Sequence, residues 1–142
     1  MVNKILDSIS IGLHKLFGDD YHYYVEDVQQ NLQRPAFTID VLIPIERSYS
    51  PTSYFRTMPV VIHYFSSNPM DNKKECYAIA EQIFESVEYI TLDGRLLRGR
   101  DISWSIVDNV LQFFITYEFY TEIVGEPTYM EDLNDLNLDI KY

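Results

Sequence analysis

From Val110 to Ile123 the chain sets Leu111, Phe113, Ile115, Tyr117 and Phe119 at alternate positions, with Gln112, Thr116 and Glu118 among the residues between them. Strand side chains point to opposite faces in turn, so this spacing predicts one long strand with a single buried face. A helix would scatter the same residues around its circumference. The pattern occurs twice more. From Ala36 to Ile43, Phe37, Ile39, Val41 and Ile43 alternate with Ala36, Thr38, Asp40 and Leu42. Between Tyr54 and Phe65 both alternating sets are mostly apolar or aromatic, which predicts cover on both faces over part of that strand. Pro59 inside it has no N–H to give a ladder, so one side there should be an edge or a bulge. Glu46 to Ser53, between the two runs, is polar and aperiodic. It reads as the exposed loop of a long projecting β-hairpin.

Two segments follow the other period. Val2, Ile5, Leu6, Ile9, Leu13, Leu16 and Phe17 recur at spacings of three and four, predicting an amphipathic helix of about four turns that stops at Gly18. Tyr21 to Val25 then leads into a polar connection ending at Arg34-Pro35. Cys76, Ile79, Ala80, Ile83, Phe84 and Val87 form a second stripe, with a helix start read at Asn68-Pro69 or one turn later at Asp71. Asp93-Gly94 is a two-residue hairpin signal after Tyr89 to Leu92, because such turns need positive φ angles. Asp108-Asn109 is a second turn, joining Ile102 to Ile106 to the long strand from Val110. No βαβ unit repeats, so the fold class is α+β: a mainly antiparallel sheet with two amphipathic helices packed on one face and the projecting hairpin.

With 142 residues the chain has the size of one domain, read as 1–125, followed by an acidic C-terminal arm, 126–142. The arm carries Glu126, Glu131, Asp132, Asp135 and Asp139 against Lys141, a net of 1 − 5 = −4. Its Tyr129, Met130, Leu133 and Leu136 are too apolar for a purely solvating tail, so it reads as an arm that orders on a partner. Over the whole chain 11 Lys and Arg face 22 Asp and Glu, giving a net charge of −11. An autonomous nucleic-acid binder with that charge would repel its ligand. The single cysteine, Cys76, excludes an internal disulfide and fits a reducing compartment. No export signal or membrane-length apolar run is visible, and a soluble protein of the cytoplasm is expected.

The residues offer no constellation for catalysis. His14, His22 and His63 lie far apart and none has a metal-ligand spacing, so no metal or cofactor is expected. His63 reads as a hydrogen-bonded histidine on a sheet face, and Cys76 as a small hydrophobe at the head of a helix stripe. Phosphate-loop and nucleophile-elbow motifs are absent. The aromatics are more telling: 12 Tyr, 8 Phe and 1 Trp exceed what a core of this size needs, and tyrosine suits wet interfaces. Tyr49, Tyr54 and Phe55, in and beside the polar loop, are the first interface candidates. Arg95, Arg98 and Arg100 form the densest positive patch, suited to an acidic neighbour or to water.

Taken in order, three segments resemble the small tail terminator proteins of long-tailed phages, prophages and phage-tail-like bacteriocins. They are Tyr54-Phe55-Arg56-Thr57-Met58-Pro59 through Phe65, the helix Glu75 to Phe84, and Arg98-Gly99 followed by Ile106 to Tyr117. The resemblance runs from the first helix to the last long strand and departs at the acidic arm. It implies a structural protein without a reaction, forming a homo-oligomeric ring, a hexamer, on the last layer of the tail tube. That ring would stop polymerisation and join the tail to the neck or head connector while DNA passes through unbound. Assembly would take place in the host cytoplasm, and in a contractile tail the ring would also meet the sheath. A ring closed head to tail needs two different complementary surfaces. The Arg47/Arg56 hairpin would supply one, and the acidic face or arm the other.

Two rivals stay open. One is a head completion or neck connector ring subunit. The other is an acidic inhibitor that mimics DNA, although 7 acids lie before residue 71, 10 between 71 and 125 and 5 after, without a regular array.

Overall fold

The computed structural model describes residues 2–25 and 32–122. Its elements, in order, are α1 (Val2–Phe17), β1 (His22–Tyr24), β2 (Ala36–Val41), β3 (Ile45–Ser50), β4 (Ser53–Phe65), α2 (Lys73–Val87), β5 (Tyr89–Leu92), β6 (Arg95–Val107) and β7 (Val110–Glu122). The class is α+β, with the strands in one sheet of order β1-β2-β4-β7-β6-β5 and β3 paired to β4 beside the end of β2. All pairings are antiparallel except β1 with β2.

Register explains the core. Met58 pairs with Tyr117, Val60 with Ile115, Ile62 with Phe113 and Tyr64 with Leu111. Phe37 and Ile39 of β2 extend the same rows across to Tyr64 and Ile62. All these side chains are buried, against Ile5, Leu6, Ile9 and Leu13 of α1 and Cys76, Ile79, Ala80, Ile83 and Val87 of α2. Each such side chain contributes about 1.5–3 kcal/mol of transfer free energy. On the reverse face of β4 Val61 is also buried. Two core tyrosines keep their hydroxyls satisfied: Tyr117 donates to the carbonyl of Val87, and Tyr64 donates to Glu75. Burial pushes both phenols above their ordinary range, and the hydrogen bond to Glu75 adds to the shift at Tyr64. Part of the tyrosine surplus is therefore core material rather than interface.

The punctuation read from the sequence holds at three places. Gly18, at φ 82°, ends α1 and its N–H donates to the carbonyl of His14. Asp93-Gly94 and Asp108-Asn109 take the positive φ angles that their turns need. Pro59 stands where β2 has ended and β3 has not begun. Its carbonyl accepts from Leu42 on that side, so its missing N–H faces a gap in the ladder.

Other expectations need correction. Glu46 to Ser50 is not loop but most of β3, in register with Ser53 to Arg56; only Pro51 and Thr52 turn. An edge strand wetted on both faces carries no alternating signal. The strand expected to run to Ile43 stops at Val41, leaving Leu42 and Ile43 exposed in the crossing to β3. Helix α2 begins at Lys73, behind Asn72, not at Asn68 or Asp71. The buried Asn72 amide donates to the carbonyls of Asn68 and Asn109, tying this loop to the β6–β7 turn. Asn68 meanwhile accepts from the Met70 N–H in a turn of its own. Strand β6 is one 13-residue strand rather than two short ones. A bulge between Arg100 and Ser103, with Asp101 at φ 54°, hides its continuity. The short parallel strand β1 gave no sequence signal, and Ile123 and the arm 126–142 lie outside the described residues.

Candidate interaction surface

Strands β4 and β7 run on past Met58 and Tyr117, the last register pair in which both side chains are buried; beyond it Phe119 alone is still part of the core. Successive pairs there point to opposite faces. Arg56 pairs with Phe119 and with Glu46, on the helix side. Phe55 pairs with Tyr120 and with Arg47, on the reverse side.

Chemistry divides along the same line. The Arg56 guanidinium donates to Glu46 Oε1 at 2.5 Å and to Thr121 Oγ1 at 2.8 Å, and its side chain is only 21% exposed. It acts as a clasp across β3, β4 and β7. Arg47 is exposed. The two arginines therefore do not form one patch, because neighbouring register pairs send them to opposite faces. Beside Arg47 the rings of Tyr49 and Phe55 meet Tyr120, at centroid distances of 5.1 and 4.8 Å. Tyr49 is 69% exposed and Tyr120 49%. Tyr120 thus holds both rings against its own while Tyr49 and Tyr120 stay open to water and Phe55 is half-buried. Tyr54, half-buried, lies on the Arg56 side of the ladder.

The three arginines of the positive patch stand on β6, and each has a partner. Arg95 donates to the carbonyl of Tyr120 at 3.1 Å, Arg98 lies 3.3 Å from Glu88 and over the ring of Tyr89, and Arg100 lies 3.5 Å from Glu118. Arg98 and Arg100 share one face by their spacing and stay about two-thirds exposed, so their pairs are surface pairs of small worth. Tyr129, Met130, Leu133 and Leu136 lie outside the described residues.

Sequence reasoning missed Tyr120, which completes the trio. Its signal was the reverse-facing set of β7, read only as spacers between the core residues. Trp104, 40% exposed, and Ile43, 75% exposed, were also missed. Neither stood out from a run that was already apolar.

Elsewhere the surface offers little for bond chemistry. His14 Nε2 lies 2.6 Å from Asp19 Oδ1, but both side chains are open to water, and Ser10, one turn away on α1, makes no hydrogen bond to the ring. Cys76 is buried and burial raises its thiol pKa, which disfavours the thiolate. Among the described residues no group of His, Cys, Asp or Glu is placed to hold a metal ion, and no helix is long and apolar enough to cross a membrane.

Among curated proteins none matches the chain. A family model does: residues 4–129 match one described as phage tail terminator protein.

Proposed function

From the premise that this chain belongs to the phage tail terminator family, and so has a structural role in a phage tail, we propose that it caps the tail tube. In this reading copies of the chain close into a ring, a hexamer, on the last tube layer and end polymerisation. The upper side of the ring then meets the neck or head connector. The family match across nearly the whole described fold carries the reading. The exposed trio Tyr49, Phe55 and Tyr120 with Arg47 supplies the contact to the tube. Among the described residues nothing pairs with the outer side of β3, and its charged Glu46 and Arg47 discourage strand addition there and leave a contact made by side chains. The net charge of −11 helps DNA pass, since an acidic lumen repels it.

The test is electron microscopy of particles from a host lacking this gene. Tubes of uncontrolled length are the expected result. Tails of normal length without heads would move the protein to the neck connector. Unchanged particles would overturn both and favour the acidic inhibitor.

A further inference from the structure

Among the described residues part of β6 forms another open edge of the sheet, and it is unguarded. Strand β5 pairs with β6 only from Arg95 to Arg98, and among the described residues nothing pairs with the outer side of β6 from Ser103 to Val107. Ser103, Trp104, Ser105 and Val107 are exposed, and Ile106 is half-buried. That stretch holds no charge and no proline, the devices that keep strand edges from pairing. On the helix side the sheet is also unfinished. Trp104 stacks on Phe113 at 6.1 Å yet is 40% exposed, with Ile102 and Ile106 only partly buried beside it. A groove lined by Phe84, Glu88 and Ile102 continues from this edge toward the exposed Arg98 and Arg100.

Outside the described residues the sequence carries one more alternating run. Residues 136–142 read Leu-Asn-Leu-Asp-Ile-Lys-Tyr, with apolar and polar positions in strict alternation. They belong to the segment after Gly125 whose net charge is −4, opposite in sign to Arg98 and Arg100.

We propose that residues 136–142 of one copy add as a strand to the free edge of β6 on a second copy. Leu136, Leu138, Ile140 and Tyr142 would cover Trp104 and Ile106, while the acids of the preceding stretch face Arg98 and Arg100. Main-chain pairing gives the affinity and the alternating apolar set gives the register. The stretch 123–135 can span roughly 45 Å when extended, a tether long enough to carry residues 136–142 beyond their own subunit. A donor strand and an acceptor edge on one chain are two different complementary surfaces, as head-to-tail closure requires. The inference rests on the ring reading given above.

The test uses full-length chains in a Cys76→Ala background, one carrying Ser105→Cys and the other Asp139→Cys, coexpressed in place of the natural gene. A short bismaleimide is applied to purified tails. A covalent pair joining the two variants is expected, and Leu138→Asp with Ile140→Asp should lower its yield about tenfold or more. A control chain carries both substitutions; cross-linking only within that control chain, only between two Ser105→Cys chains, or not at all would overturn the inference. Tails of normal length without the cross-link defeat the strand exchange alone. Normal tails that contain none of this protein defeat the terminator reading itself.

Discussion

Strands β4 and β7 each serve two regions that obey different rules. Over Met58 to Tyr64 and Leu111 to Tyr117 one face alternates into a dry core beneath two helices. From Arg56 to Ser53 and from Tyr120 to Glu122 the same ladder continues, but with Tyr49 of β3 its side chains make an aromatic trio on one face and an arginine clasp on the other. Backbone pairing is continuous across the boundary, so the difference lies in what covers the sheet. The covered half provides stability. The bare half, carried rigidly by it, is free to provide recognition.

That division is open to attack by substitution. Phe113→Ala, in the covered half, should lower unfolding stability by about 3–5 kcal/mol, read by denaturant titration. A loss comparable to that of a surface site would break the comparison. Gly99→Ala comes next, at about 1–3 kcal/mol, since a Cβ there would lie 2.1 Å from Ile115 Cδ1. Tyr117→Phe should cost about 1 kcal/mol by leaving the Val87 carbonyl without its donor. In the bare half, Tyr49→Ser with Tyr120→Ser should change stability by no more than about 0.5 kcal/mol while tail length becomes uncontrolled. Normal tails from that double variant would remove the trio from the contact surface.

pH offers a finer probe of the same contrast. A buried tyrosine whose phenol is raised in the folded state must be neutral there, whereas the unfolded chain releases the proton near pH 10. The stabilising contribution is complete below that value and is lost as pH rises above it. Tyr23 belongs to this class, pushed up to about 12 by burial and then by Tyr21 and Asp19. Tyr64 and Tyr117 are raised further, chiefly by burial. Stability should therefore fall from about pH 10 upward, and Tyr64→Phe with Tyr117→Phe should flatten the decline. A slope unchanged by that pair would show that the alkaline loss arises elsewhere.

How much was legible depended on whether a residue had one dominant neighbour. The stripes of α1 and α2 and the alternation of β7 were readable because burial of one face selects apolar residues at a fixed period. Asp93-Gly94 and Asp108-Asn109 were readable because backbone sterics select them locally. Strand β3 was hidden, since both of its faces are wet, and the continuity of β6 was hidden by a bulge that shifts its period at Asp101. The candidate surface was half legible. Tyr49 and Phe55 were found from their setting in a polar stretch, whereas Tyr120, their partner, was distant in sequence and embedded in a strand already explained.

The sequence by itself determined the α+β class, both helices, three of the long alternating runs and their turns, because each follows from a local period or a local φ requirement. Only the tertiary structure decided that Arg47 and Arg56 point apart, that Asn72 is spent on a distant turn, and that no described residue pairs with the outer side of β6 from Ser103 to Val107. Those are consequences of register and sheet order. They depend on which strands meet and in what alignment, and no local pattern of residues encodes that pairing.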